Sequence, residues 1–290
     1  MKRKQRNVRL TVFITIFSLC VVIIAGFLIL RNVKDDNVIQ EDEQVVEDIK
    51  DVVIEEQTET VPEHENTIDP NLLRRVDFDE LQKINEDAKR WIYIPDTNID
   101  YYVMQEPEFK ADGSYMYLHK DINKNWSSWG SILTVKEPND YEDKDAHLLV
   151  FGHHMMDKTV AFSNLRTYYS TEEAADEHKY IYMYYPTHSE RWVVWTAVEG
   201  LSSDKVYDIP YDLGTEDYQS LLDEIDSKGN YDRFDKPSNE VKTLVLSTCN
   251  GRVGGTPYRL YVVAVPEAKY YYEIETLVKG EYYEHEDEHN

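Results

Sequence analysis

Three features of this 290-residue sequence predict a mainly β domain, a closed barrel or a sandwich, with only a few helices. About eight short runs rich in β-branched and aromatic residues recur over roughly 200 residues. Asn, Asp, Gly or Pro punctuates the gaps between them, as turns require. Strong helical periodicity is rare and no internal repeat is present, which disfavours alternating strand–helix units.

The runs, in order, are "WIYI", "IDYYVM", "GSILTV", "AHLLVFGH", "KYIYMYY", "RWVVWTAVEG", "VKTLVLSTC" and "YRLYVVAV". Before them, Leu72, Leu73, Val76, Leu81 and Ile84 fall at spacings that predict an amphipathic helix ending ahead of Trp91. Two interruptions also read as helical. One is "TVAFSNLRTYYS"; the other runs from Gly214 to Asn230, with Tyr218, Leu221, Leu222 and Ile225 on one face and a Gly-Asn stop.

The N-terminus is organised differently. Residues 1–9 carry Lys2, Arg3, Lys4, Arg6 and Arg9 and no acid. Residues 10–30, "LTVFITIFSLCVVIIAGFLIL", are uncharged; as a helix rising about 1.5 Å per residue they reach roughly 30 Å, the thickness of a bilayer core. The run exceeds a cleavable signal's ~7–15 apolar residues and lacks a small-x-small site, so it reads as an uncleaved transmembrane signal anchor. The basic leader then stays in the cytoplasm and the rest lies outside, a single-pass arrangement at the cell membrane. Residues 31–69 are dominated by acids and free of aromatics, which predicts an extended, self-repelling linker, with a transient helix conceivable over "QVVEDIKDVVIEE". Composition changes abruptly near Pro70, so the folded domain is placed at 70–280, followed by an acidic tail at 281–290.

A formal charge of −25, with no Lys/Arg cluster outside the leader, argues against a nucleic-acid partner. The sequence holds two cysteines. Cys20 lies in the apolar run, where it reads as a small apolar residue with lipidation the alternative, and Cys249 is left without a disulfide partner. Any role for Cys249 therefore uses a free thiol.

Cys249 ends the strand of "LVLSTCNGRVGGTPYRLYVV", and Arg259 opens the next. A third segment, "LLVFGHHMMDKTVAFSNL", runs an apolar strand into Gly152 and stops at His153-His154. These residue types suit acyl transfer. A thiol near pKa 8.5 is only a few per cent thiolate at neutral pH, and an imidazole can take its proton and later return one to a leaving amine. A guanidinium, charged at any relevant pH, can stabilise the oxyanion formed by attack on a carbonyl. Alone, Cys249 would read as an inert core thiol, His153 as a satisfied strand-end residue and Arg259 as an edge charge. Together they read as nucleophile, acid/base and oxyanion stabiliser. Arg252 is nearer Cys249 in sequence but sits in the glycine-rich connection, so it ranks second. Zinc held by His153, His154 and Cys249 is disfavoured, because adjacent histidines rarely share one metal. Ser247 and Asn250 flank the thiol and are candidate substrate contacts, with a strand-edge hydrogen bond the alternative for each.

"VFGHHM", "VLSTC" and the arginine of "YRLYVVA" resemble the three signatures of the sortases, membrane-anchored cysteine transpeptidases of Gram-positive bacteria. On the cysteine-aligned motif TLxTC only the first position departs, with Val245 in place of Thr. The "LSTC" ending, the helix before the first strand and the helical insertion at 214–230 resemble class B. The resemblance implies a closed eight-stranded sortase-like barrel, and it selects His153 over His154 because the family's catalytic His follows Gly. It also implies cleavage of a Thr–Gly or Thr–Asn bond in a C-terminal sorting pentapeptide of a secreted protein through a thioacyl intermediate. The acceptor is then an amine of peptidoglycan or of a pilin. No cofactor and no metal is required. Some class B members carry an acid directly after the cysteine; here Asn250 leaves a carboxylate partner unsupported. A papain-like or cell-wall amidase peptidase is the nearest enzymatic rival, but its cysteine precedes the histidine and opens a helix. A surface adhesin or an inactive sortase-like binding module is the reading from another class.

Overall fold

Every one of the eight apolar runs forms a strand, because each offers one or both faces to a core. The computed structural model of the chain describes residues 36–37, 39–55, 68–108, 114–135, 146–156, 158–249, 257–273 and 276–279. The barrel strands are β3 (Ala88–Tyr93), β4 (Asp100–Gln105), β5 (Ile132–Thr134), β6 (His147–Phe151), β7 (Tyr180–Tyr184), β8 (His188–Leu201), β9 (Thr243–Cys249) and β10 (Tyr258–Tyr271). Their order is β10-β8-β7-β3-β4-β5-β6-β9, and pairing of β9 with β10 closes the ring. β11 (Thr276–Lys279) pairs with the far half of β10. Closure removes the unpaired edges that an open sheet would expose. The mainly β, closed eight-stranded expectation is met.

Two pairings are parallel, β4 with β5 and β6 with β9. Parallel neighbours need a long crossover. Between β6 and β9 that crossover includes β7, β8 and an insertion holding α6 (Glu216–Lys228). Thr215 caps α6 by accepting from the Tyr218 N–H, Glu216 and Asp217 favour its N-terminus, and Lys228 favours its C-terminus. Tyr218, Leu221, Leu222 and Ile225 bury one face, as the spacing predicts, against Leu149, Trp195, Val245, Tyr261 and Val263. Each such side chain contributes about 1.5–3 kcal/mol by leaving water. The helix is thereby fixed to the outer wall of β6, β8, β9 and β10.

His147, at the start of β6, ties the wall to this insertion. It is 1% exposed. Its Nε2 lies 3.0 Å from the Val206 carbonyl, which can only accept, so Nε2 carries the proton and Nδ1 accepts from the Thr243 hydroxyl at 2.9 Å. Burial pushes the imidazole down from 6.5 to about 4, against the opposing Val206 hydrogen bond.

Four local expectations are corrected. The single helix expected over 72–84 is instead α2 (Pro70–Leu73), a short strand β2 (Arg75–Val76) and α3 (Phe78–Ile84). Asp77 breaks it, since its side chain accepts from the Glu80 N–H and starts a new helix. In "TVAFSNLRTYYS" only α4 (Leu165–Tyr169) is helical, followed by α5 (Glu172–Glu177). The acidic stretch expected to be a flexible linker is helical over 45–53 (α1) and continues into β1 (Ile54–Glu55), which pairs with β2. There Val46, Ile49 and Val53, spaced i, i+3, i+7, are buried despite the acids around them. The compact unit accordingly spans Val45–Asn290 rather than starting near Pro70, and a second unit spans Met1–Gln44. The leader, the apolar run 10–30 and the tail 281–290 lie outside the described residues; among the described residues no helix is long and apolar enough to cross a membrane.

The His147 environment yields a linkage prediction. Its folded pKa is depressed, so stability is full above pH 6.5 and is lost as pH falls toward 4, because the unfolded chain takes up the proton first. Urea unfolding at pH 7 and pH 5 should show the wild type losing about 2 kcal/mol more than His147→Gln. Equal losses would contradict the buried, neutral imidazole.

Candidate active site

Three adjacent strands set the positions of the sequence-predicted residues. β9 and β10 are antiparallel, and Cys249 is directly opposite Arg259. Directly opposed residues share a face, with Cβ atoms about 5 Å apart. β6 and β9 are parallel, with Phe151 opposite Ser247. Two further bonds carry that alignment past the end of β6: the Gly152 N–H donates to the Ser247 carbonyl at 3.1 Å, and the Thr248 hydroxyl donates to the Gly152 carbonyl at 2.7 Å. His153 is the next residue of the chain, one past that last bond. Thiol and guanidinium are thus paired across β9 and β10, and the histidine follows the end of β6, the strand beside β9.

The histidine is held at two points. Its carbonyl accepts from the Phe162 N–H at 3.2 Å, and its Nε2 donates to the Leu118 carbonyl at 2.8 Å. Because a carbonyl only accepts, Nε2 carries the proton and Nδ1 keeps its lone pair. His119 packs against the ring, with centroids 5.6 Å apart. Burial lowers the His153 pKa from its ordinary value; the Leu118 carbonyl opposes this and the charge of His119 adds to it. At neutral pH the ring is therefore a neutral imidazole, the form a general base requires. Cys249 is a half-buried free thiol. Arg259 is half-buried and donates from Nη1 to the Tyr258 carbonyl at 2.9 Å.

Along β9, Val245 and Ser247 share the face of Cys249 and turn toward the insertion, whereas Leu244, Leu246 and Thr248 face the other way. Tyr207, from the insertion, covers this wall. Its hydroxyl lies 2.8 Å from Ser247 Oγ, and its ring stacks on Phe151 at 6.2 Å and meets Tyr261 edge-on at 6.3 Å. Burial pushes its hydroxyl pKa well up, while the Ser247 hydrogen bond and the Arg259 charge pull against it.

This corrects the reading of Ser247 as a substrate contact. It is 1% exposed and its hydroxyl is engaged by Tyr207, so it supports the wall beside the thiol. His154 is half-buried beyond the end of β6. Asn250 and Arg252 lie outside the described residues. Among the described residues, no group of three or more His, Cys, Asp or Glu side chains is placed to hold a metal ion. Sequence reasoning missed Tyr207, His119 and the Leu118 carbonyl. Their only signals are an aromatic in the insertion and a second histidine in "YLHKD", neither of which points to the thiol by spacing.

No family model matches the chain. It is 26% identical over 190 residues to sortase B of Staphylococcus aureus (strain NCTC 8325 / PS 47), covering 66% of this chain and 74% of the relative. It is 29% identical over 177 residues to sortase B of Listeria monocytogenes serovar 1/2a (strain ATCC BAA-679 / EGD-e), covering 61% and 68%. Its fold superposes on a Staphylococcus aureus sortase B–substrate complex with a TM-score of 0.57 and 25% identity, covering 70% of this chain and 85% of that one. Fold and relatives together define a cysteine transpeptidase of the sortase type. Both relatives and the superposed structure are sortase B proteins, the class this chain resembles.

Gly152 lets β6 pass close to its neighbours and still deliver His153. A Cβ there would lie 2.6 Å from the Phe162 ring and 2.7 Å from Ile132 Cδ1. Gly152→Ala should cost about 1–3 kcal/mol in urea unfolding through overpacking, and should lower kcat because the displaced backbone carries His153. Wild-type stability and kcat in the variant would contradict this close approach.

Proposed function

We propose that this transpeptidase uses Cys249 as nucleophile, His153 as acid/base and Arg259 as oxyanion stabiliser. The observation that supports the reading is the pairing of Cys249 with Arg259 across β9 and β10, beside the strand β6 that leads into His153. Cys249 Sγ gives its proton to His153 Nδ1 and attacks the carbonyl of a Thr–Gly or Thr–Asn bond in a C-terminal sorting pentapeptide. Arg259, on the same face as the thiol, stabilises the negative oxygen of the tetrahedral intermediate. The imidazolium returns its proton to the leaving amine, leaving a thioacyl enzyme. An acceptor amine, from a peptidoglycan precursor or a pilin, then attacks the thioester and releases Cys249.

The substrates are secreted proteins bearing a sorting signal. This is consistent with the Staphylococcus aureus relative having been captured with a substrate. The basic leader and the apolar run 10–30 are proposed to hold the enzyme in the cell membrane, N-terminus inside and catalytic domain outside.

Incubation with a labelled sorting peptide tests the roles. Cys249→Ala and His153→Ala should abolish cleavage and Arg259→Ala nearly so, with thermal unfolding unchanged. Full activity in any folded variant removes that residue from the mechanism. Binding without turnover in the wild type, unchanged in Cys249→Ala, would instead favour a binding module.

The depressed His153 pKa fixes the sign of the pH dependence. The base is neutral above its pKa, so the acid limb of kcat/KM should lie below pH 6.5. His119→Ala removes one cause of the depression and should move that limb to higher pH. A limb that stays in place, or moves to lower pH, contradicts the coupling of the two rings.

A further inference from the structure

At the barrel end opposite Cys249, the first residues of β3, β6, β8 and β9 and the far part of β10 surround a cavity of about 410 Å³. Arg90 lines it and is 8% exposed. Its Nη1 donates to Gln105 Oε1 at 2.9 Å and reaches Thr134 Oγ1 at 3.5 Å, and its guanidinium lies 5.6 Å from the Tyr185 ring centroid. All three neighbours are uncharged. Arg90 Nε is buried and, among the described residues, has no hydrogen-bond partner. A buried guanidinium with an unused donor is costly unless an anion meets it.

The lining adds Lys89, Lys242 and Lys269, against a single carboxylate, Glu190. That carboxylate is already engaged. Lys269 Nζ and His188 Nε2 each lie 3.3 Å from it, and the Trp192 indole donates to it at 3.1 Å. Both it and Arg90 act on the buried Tyr185 hydroxyl, whose pKa burial and the Glu190 charge push up and the Arg90 charge opposes. The cavity is therefore a cationic concavity in a chain of net charge −25, the reverse of what composition would place there. Next to the cations, Tyr185 and His188 stack at 4.4 Å with planes 12° apart, and Trp192 lies beside them.

We infer that this cavity is a second binding site, separate from the thiol site, for a phosphate-bearing ligand held by Arg90, Lys89 and Lys242. Lys89 and Arg90 are neighbours on β3 and Lys242 stands just ahead of β9, so cations reach the cavity from two of its walls and exceed the carboxylate by more than one charge. That suits a phosphate dianion approached from several sides better than a monovalent, planar carboxylate. The aromatic wall offers a face for the organic body that bears the phosphate. The inference does not depend on the catalytic roles assigned above.

Calorimetric titration of the full chain with inorganic phosphate, against chloride at matched pH and ionic strength, tests it. Phosphate should bind saturably and raise Tm. Binding should weaken about tenfold or more both in Arg90→Gln and in the double variant Lys89→Ala/Lys242→Ala, which leaves the buried residue in place. Sorting-peptide cleavage should be unchanged in both. Glycerol phosphate, and phosphatidylglycerol against phosphatidylcholine vesicles, distinguish a soluble or polymeric phosphate from a lipid headgroup; binding in either arm supports the site. The inference is overturned if phosphate binds no better than chloride, if acetate binds as well, if both variants bind as the wild type does, or if neither organic phosphate binds.

Discussion

Everything at the thiol end depends on the alignment of β6 with β9. Parallel strands carry no hairpin to set their register, so side chains and main-chain bonds must do it. Here Gly152 and Thr248 supply the last two bonds of the ladder, one through a main-chain N–H and one through a side-chain hydroxyl. A slip of one residue would turn Cys249 toward the side of Leu246 and Thr248 and separate it from Arg259's face. The motif ending Ser247-Thr248-Cys249 thus has a structural logic at each position. Ser247 holds the insertion, Thr248 fixes the neighbouring strand, and Cys249 presents the thiol.

The insertion between β8 and β9 has a matching role on the outer wall. α6 and Tyr207 bury the faces of Val245, Ser247 and Tyr261, while His147 and Thr243 lock the start of the same two strands. The wall carrying Cys249 is consequently pinned at both ends. Preorganisation of this kind stabilises charge developing in a reaction without rearrangement during it. The opposite mouth of the barrel is built differently. Among the described residues its buried Arg90 meets no carboxylate directly, which is the ground for inferring an outside anion there.

The eight barrel strands were legible because β-branched and aromatic runs between turn residues survive any tertiary context, and α6 because Tyr218, Leu221, Leu222 and Ile225 form one clean stripe. The helix over 72–84 was misread because its apolar spacing continues through Asp77, whose capping side chain restarts the chain direction. The 45–53 helix was hidden by its acids, although Val46, Ile49 and Val53 keep a narrow apolar stripe. Residue type and strand position singled out Cys249, His153 and Arg259 as candidates, and the structure pairs the first with the last. Tyr207 and the Leu118 carbonyl were not, since a contact across 40 residues or through the main chain leaves no local pattern. Ser247 was misjudged because proximity in sequence says nothing about which face a strand residue takes.

The most direct test of the account is the pH dependence of Cys249 alkylation, compared between wild type and His153→Gln. If thiol and imidazole share one site, the wild-type profile carries an inflection below pH 6.5 that the variant lacks, because charging the ring changes the thiolate's stability. Superimposable profiles would show that the two side chains do not sense each other, and the alignment of β6 with β9 would lose its chemical meaning.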